Sequence, residues 1–327
     1  LTDLVLVTGA TGFVGTALCR ALLDSGFNVR ALHRASSTLK NLAGLPVEYF
    51  QGDILDLASM RAACVGTRWV FHAASQSDYW RNPDAVKRSA IEGTSNIANA
   101  ALAAGVEKFV FTSSLSAMGI PVDDELLTES HTFNLPEEKF PYGAAKRQAE
   151  LALLGFVEKG LDAVIVNPAL ILGPGDLNRI TGSMVVEAAR GWGFFYLDGG
   201  ANYIHIEDVA RGHLAAARLG EHGKRYILGG ENISHQEAFT VLTQVVGRRP
   251  PWLKIPNWVV PPAAWLIDRL SGLIKLPFDA NQLRISRRYI YCDIEPAQRK
   301  LQLDAPISFR QAVEDTYKWY LREGVIE

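Results

Sequence analysis

The sequence is poor in the residues that mark secreted, metal-binding or nucleic-acid-binding proteins. It has 3 cysteines in 327 residues. They stand far apart, at Cys19, Cys64 and Cys292, with no C-x-x-C spacing. That pattern frames neither a disulfide scaffold nor a metal site, and it fits a reducing compartment. No sign of charge dominates: 33 Lys and Arg stand against 35 Asp and Glu, a net charge of −2. Such a balance gives no electrostatic footprint for nucleic acid. Long apolar runs are missing as well. The longest, Trp258 to Ile267, carries Pro261-Pro262 and is too short to span a bilayer. The first apolar run begins almost at residue 1, which leaves no room for a signal peptide. The expectation is a soluble, cytoplasmic protein with no transmembrane segment, no metal and no nucleic-acid partner. What the chain does have is 48% hydrophobic residues, enough to bury a large core as one big α/β unit or two coupled domains.

The rest is organised around Val5 to Gly15, V-L-V-T-G-A-T-G-F-V-G. An apolar run breaks at Gly9, glycines follow at Gly12 and Gly15, and Phe13, Ala17, Leu18, Ala21 and Leu22 then take helical spacing. This is a strand, a glycine turn and a helix start. Gly9 permits the tight turn, Gly12 lets backbone approach a pyrophosphate, and Gly15 lets the helix pack on the strand. The spacing is G-x-x-G-x-x-G, and alone it also suits plain packing.

The first half alternates strands and helices. Strands are expected at Leu4–Thr8, Asn28–His33, Val47–Phe50, Trp69–His72, Lys108–Thr112 and Ala163–Asn167, and helices at Phe13–Ser25, Asp56–Cys64, Asp84–Ala104 and Tyr142–Lys159. That order predicts an α/β, doubly wound parallel sheet (a Rossmann fold), with ligands at the carboxyl ends of its strands. The dinucleotide-binding domain is expected over residues 1–167, with the chain returning to it near 203–220. Residues 168–327 mainly form a smaller substrate-binding domain.

The strand ends carry the chemistry. After the second strand, where a carboxylate would bind the ribose of NAD, stand His33-Arg34, Ser36, Ser37 and Lys40. A guanidinium there binds a 2′-phosphate through charge-assisted bonds, which favours NADP(H) while leaving NAD(H) open; the alternative is a solvated basic loop. After the third strand, Asp53-Ile54 suits an adenine amine and ring, or Asp53 is a loop carboxylate. After the fourth, Ala73, Ala74 and Ser75 are small enough for a flat dinucleotide to lie over, while His72 reads as structural. The fifth strand ends in Thr112-Ser113-Ser114, and Tyr142 and Lys146 later share one face of a helix. A nearby ammonium is expected to lower the Tyr142 pKa towards the range of a working acid or base.

Together these motifs resemble the extended short-chain dehydrogenases/reductases of the NAD-dependent epimerase/dehydratase superfamily. The likeness rests on Thr8 to Gly15, Asp53, the His72-Ala73-Ala74 segment, Thr112 to Ser114, and Tyr142 with Lys146. Asn167-Pro168, Leu172 to Gly175 and Ile204 to Ala210 extend it. Within that superfamily the sequence is similar to the dihydroflavonol-reductase-like branch, which includes hopanoid-associated sugar epimerase homologues. The resemblance implies Ser114, Tyr142 and Lys146 as the catalytic set. It implies cofactor contacts at Gly9, Thr11, Gly12, Phe13, Val14, Gly15, Arg34, Lys40, Asp53, Ile54, Ala73, Ala74, Ser75, Tyr142, Lys146, Asn167, Pro168 and Leu170. The substrate, a small molecule with a carbonyl or secondary alcohol, is expected against Ser114, Tyr142 and Tyr79, and a homodimer is implied. Two departures stand out. Ala90 replaces a frequent Asn, and Ser114 is followed by Leu115-Ser116 where sugar-nucleotide dehydratases carry an Asp-Glu pair. Elimination of water then lacks its acid and base.

The second half is less periodic. It offers a helix at Ile180–Arg190, a strand at Phe194–Leu197, a helix capped by Asp208, a strand at Arg225–Leu228, and capping boxes at Ser234 and Ser308. The stretch Pro250 to Phe278, with Trp252, Trp258 and Trp265, reads as ordinary packing of a small domain, or as a lid or membrane-surface patch. Functionally, the set implies a carbonyl reductase. The rivals are a redox-neutral sugar-nucleotide epimerase, whose diphosphate grip would fall to Arg284, Arg287 or Arg288, and a non-catalytic dinucleotide sensor.

Overall fold

A computed structural model describes residues 3–75, 82–123, 125–270 and 280–326. The first apolar run is strand β1 (Leu4–Thr8), followed by α1 (Phe13–Asp24), β2 (Asn28–His33), β3 (Glu48–Gln51), α2 (Leu57–Cys64) and β4 (Trp69–His72). Next come α3 (Pro83–Ala103), β5 (Lys108–Thr112), α4 (Pro141–Val157) and β6 (Ala163–Pro168). The second half contributes β7 (Leu170–Leu172), α5 (Ser183–Ala189), β8 (Phe195–Leu197), β9 (Gly200–His205), α6 (Ile206–Leu219), β10 (Arg225–Leu228) and β11 (Glu231–Ser234). It closes with α7 (His235–Val245), β12 (Leu253–Ile255), α8 (Val260–Leu270), α9 (Ala280–Ser286), β13 (Tyr289–Ile290), α10 (Glu295–Leu301) and α11 (Phe309–Arg322).

The expected α/β sheet is present. Its seven strands run in the order β10-β6-β5-β4-β1-β2-β3, all parallel. Both faces are covered over the middle of the sheet, so β4 and β6 are buried at every position, whereas the edge strand β3 is mostly exposed. Val5, Val7, Val110 and Val164 pack with Leu18 of α1 and Val209 and Leu214 of α6 on one face. Leu6, Val70, Phe109 and Ile165 pack with Met60, Ile97 and Leu153 of α2, α3 and α4 on the other. Strand order reverses at β1, whose neighbours are β2 on one side and β4 on the other, so a crevice opens there at the carboxyl ends.

The second half splits its elements between two units. Strands β7, β9, β11 and β13 form a small sheet, and β12 pairs with β8. Helices α5, α7 and α11 build a third core around Val185, Leu242, Phe309 and Tyr320. Strand β10 and helix α6 instead complete the large sheet.

Several local expectations are corrected. The helix expected from Ile180 begins at Ser183, because the Asp176 carboxylate accepts the Ile180 and Gly182 N–H groups at 3.3 and 3.0 Å and holds that segment as a loop. The helix expected to be capped by Asp208 is capped by His205, whose Nδ1 accepts the Glu207 N–H at 3.2 Å. Asp208 lies inside the first turn and accepts Ile307 N–H at 2.8 Å. The capping boxes at Ser234 and Ser308 differ: Ser234 and Glu237 satisfy each other reciprocally, while at Ser308 only the serine oxygen caps Gln311 N–H. The Trp-rich stretch departs most. Trp252, Trp258 and Trp265 are 74%, 75% and 60% exposed, so ordinary core packing does not describe them.

Candidate active site

Because all seven strands are parallel, their carboxyl ends lie along one edge, and the polar residues after them converge on the crevice beside β1. The turn at Gly9 takes φ +67°, and a Cβ on Gly9 would lie 2.7 Å from the Ala74 backbone. A Cβ on Gly15 would lie 2.1 Å from the Gly9 carbonyl oxygen. Glycine is therefore required by close approach at both positions. Helix α1 starts after Gly12 with no side-chain cap and no acidic residue in its first turn. Its N-terminal dipole is left for an anion. The Thr8 hydroxyl pairs with His72 Nδ1 at 2.7 Å and accepts Ala74 N–H at 3.3 Å, while His72 Nε2 meets the Thr94 hydroxyl at 3.1 Å. His72 is thus structural as expected, and burial holds its pKa down to about 3. These residues fit a dinucleotide diphosphate: a narrow glycine cradle and an uncapped helix start with no acidic residue in its first turn.

Other expected contacts take varied places. Arg34 is exposed just beyond β2, where its backbone N–H donates to Ser37 Oγ at 3.2 Å. Lys40 is engaged with Glu323 at 2.6 Å. Asp53 uses one carboxylate oxygen to accept Leu55 N–H at 2.9 Å. Ile54 is buried, with its side chain on Gly93 of α3, which leaves little of it to cover a ring. Asn167 and Pro168 are buried at the end of β6, and Leu170 is 43% exposed on β7. Tyr79 lies outside the described residues.

Ser114, Tyr142 and Lys146 meet at the ends of β5 and α4. Pro141 fixes the first helical position of α4 and Tyr142 follows it. The half-buried Tyr142 hydroxyl hydrogen-bonds with both Ser114 and Ser75. Ser114 Oγ also accepts Ser116 N–H at 3.2 Å, which fixes its rotamer. Lys146 is buried one turn on, where its Nζ donates to the Thr112 carbonyl at 2.8 Å and lies 5.2 Å from the Phe111 ring centroid. Burial lowers the Lys146 pKa to about 8, with the Glu150 carboxylate opposing the shift. The expected depression of Tyr142 is not what this geometry gives. Burial raises the phenol pKa, and the hydrogen bonds from Ser114 and Ser75 only counter it.

Reading for strand ends missed the layer beneath. Glu150, fully buried, accepts Ser113 Oγ at 2.6 Å and Asn167 Nδ2 at 2.7 Å on one oxygen. Its other oxygen accepts Arg147 at 3.0 Å and Arg225 at 3.3 Å. Asn167 Nδ2 also donates to the Ser114 carbonyl at 2.9 Å. The carboxylate therefore anchors the backbone of Ser114 and the charge of Lys146 together. The signal was legible: Tyr142, Lys146 and Glu150 recur every four residues on one helical face.

Among the described residues there is no His, Cys, Asp or Glu group that would hold a metal ion, and no helix long and apolar enough to cross a membrane. All three cysteines are buried thiols, with pKa values pushed up to about 12 by burial.

Known proteins resemble this chain in sequence and fold. Residues 5–229 match the NAD dependent epimerase/dehydratase family. The chain is 35% identical to a candidate dihydroflavonol 4-reductase of Synechocystis sp., covering 100% of this chain and 97% of that one. It is 34% identical to cinnamoyl-CoA reductase 1 of Oryza sativa subsp. japonica over 77% of this chain and 78% of the relative. The crystal structure of gox2253 superposes with a TM-score of 0.88 at 34% identity, covering 100% of both chains.

Proposed function

The chain belongs to the NAD dependent epimerase/dehydratase family, and from that premise we propose that it is an NADP(H)-preferring reductase of a small carbonyl compound. The observation that carries this reading is the Tyr142 hydroxyl hydrogen-bonded to Ser114, with buried Lys146 one turn along the same helix. Bound in the glycine cradle, a nicotinamide dinucleotide supplies the hydride. Gly9, Gly12 and Gly15 admit its diphosphate, and Arg34 provides the cation for a 2′-phosphate.

Ser114 donates a hydrogen bond to the carbonyl oxygen, so charge that develops there meets a preplaced donor. Tyr142 delivers the proton to that oxygen. A phenol with a raised pKa holds its proton at neutral pH and is an acid awaiting an acceptor, which suits reduction. Lys146, held against the Thr112 carbonyl one turn along the helix, would supply positive charge to the site and favour the phenolate after transfer. The names of the two relatives, both reductases, support the same direction. The epimerase alternative needs a cationic grip on a sugar diphosphate. Arg288, one of three candidates for it, donates instead to the Pro121 carbonyl at 3.1 Å.

The test is Tyr142→Phe, assayed by NADPH oxidation across aromatic and aliphatic ketones and aldehydes, beside UDP-sugars. Turnover is expected to fall by about two to four orders of magnitude, with NADPH affinity retained. Wild-type turnover in the variant overturns the reading, as does epimerised UDP-sugar without NADPH loss.

A further inference from the structure

The exposed aromatic face of the second half has no role in the site described above. Helix α8 buries Val260 and Ala264 on one side. Pro262, Trp265, Leu266 and Arg269 recur at three- and four-residue spacing on the other, and all four are exposed. A helix packed on a soluble protein normally turns polar residues outward. Here the outward stripe is apolar until Arg269, whose guanidinium lies 5.8 Å from the Trp265 ring centroid. Trp258, just before the helix, is 75% exposed. A second exposed group includes Trp252, just before it in the chain, which stacks on Phe194 at 6.3 Å; Trp192 lies 6.3 Å from the same ring.

The charge around this face differs from that of the whole chain. Residues 248–269 carry Arg248, Arg249, Lys254 and Arg269 against Asp268, in a chain whose net charge is −2; Lys254 pairs with Asp198 at 2.7 Å, so the excess positive charge rests on the arginines. Tryptophan combines an apolar ring with a polar N–H and concentrates where hydrocarbon meets water. Exposed tryptophans edged by Arg and Lys match the surface of a bilayer that bears anionic headgroups. A second copy of the chain fits less well. A two-fold contact through this face would bring two surfaces of the same excess positive charge together.

We propose that the face formed by Trp258, Trp265 and Leu266, with Trp252 and its basic edge, docks the protein on an anionic lipid surface. The position has a consequence for access. Helix α8 packs on α9, and Asn281 of α9 donates to the Lys139 carbonyl at 3.2 Å, just before the helix that carries Tyr142. Docking would set the mouth of the site beside the membrane, where an apolar carbonyl compound would partition. The proposal stands apart from the reductase reading, because lipid binding is measured without substrate.

The experiment floats the full chain with phosphatidylcholine vesicles, with and without phosphatidylglycerol, and follows tryptophan emission with and without brominated lipid. The expected result is partition into the anionic vesicles, reversed by salt, with blue-shifted and quenched emission. Trp258→Ser and Trp265→Ser should each weaken partition about tenfold, whereas Trp265→Tyr should largely keep it. Arg249→Gln and Arg269→Gln should each cost about fivefold on anionic vesicles. These side chains are exposed, so thermal unfolding midpoints should not move. Absence of flotation, equal partition into phosphatidylcholine alone, or tryptophan variants that bind like wild type overturns the proposal. So does a dimer that the same tryptophan variants dissolve, which would give the face to a second copy.

Discussion

Glu150→Gln is the substitution that tests the layer beneath the site. The carboxylate serves two sets of donors at once: Ser113 and Asn167 on one oxygen, Arg147 and Arg225 on the other. A glutamine amide has one acceptor oxygen, so whichever side it serves, its NH2 faces donors on the other. Both guanidiniums are largely covered, with side chains 22% and 14% exposed. Removing the one carboxylate between them resembles breaking a buried ion pair, which costs about 3–5 kcal/mol. Spread over a chain of this size, that loss lowers the thermal midpoint by about 4–7 °C. The same substitution acts on Lys146. Glu150 raises the Lys146 pKa against the effect of burial, which leaves it at about 8. Without the carboxylate the lysine loses its proton at lower pH. If charged Lys146 supports turnover, the rate falls as pH rises through its pKa, so the alkaline limb of kcat/KM moves to lower pH in the variant. The assays are a thermal melt and a pH–rate profile with NADPH. A midpoint within about 2 °C of wild type would refute the buried-pair argument, and an unmoved alkaline limb would refute the coupling to Lys146.

Two other substitutions test the dinucleotide cradle. Gly15→Ala places a methyl 2.1 Å from a backbone oxygen that cannot swing aside, so the turn must open; a loss of about 1–3 kcal/mol in stability and of NADPH binding by fluorescence titration is expected. Arg34→Ala removes the exposed guanidinium after β2 and should erase about 1.5–3 kcal/mol of NADPH preference over NADH, a gap that paired titrations measure directly.

The large sheet was legible because its central strands β1, β4, β5 and β6 are short, mostly buried apolar runs bounded by glycine or polar turns. Parallel order then placed Ser114, Tyr142 and the glycine turn on one edge without any coordinates. What could not be read falls into two kinds. Side-chain direction was one: that the Lys146 ammonium donates to the Thr112 carbonyl and that Ile54 packs on Gly93 of α3 follows from the fold and not from spacing. Long-range pairing was the other. Arg225 lies 75 residues beyond Glu150, and no periodicity links a strand residue to a helix residue at that distance. The helix boundaries in the second half failed for a related reason. Asp176 and His205 capture backbone N–H groups through their side chains, and those captures override the apolar pattern that suggested the boundaries.

That long-range pairing bears on where the dinucleotide-binding unit ends. A boundary at residue 167 with a return near 203–220 takes in α6 but leaves out β10, Arg225–Leu228. Strand β10 hydrogen-bonds to β6 from Ile165 to Pro168 and closes that edge of the sheet. Helix α6 covers one face with Val209, Ala210 and Leu214. His213 of that helix, held neutral by burial with its pKa at about 4, meets the Thr112 hydroxyl at 2.8 Å. Arg225 brings the second guanidinium to Glu150. A fragment of residues 1–167 would therefore expose an apolar sheet face and leave β6 as an unpaired edge, a template for aggregation. It would also leave the buried carboxylate short of one partner. Such a fragment is expected to lack a cooperative thermal transition and to bind no NADPH, whereas residues 1–230 should regain a cooperative melt. A sharp transition in the shorter fragment, with NADPH binding, would show that the elements after residue 167 only decorate a unit that is already complete.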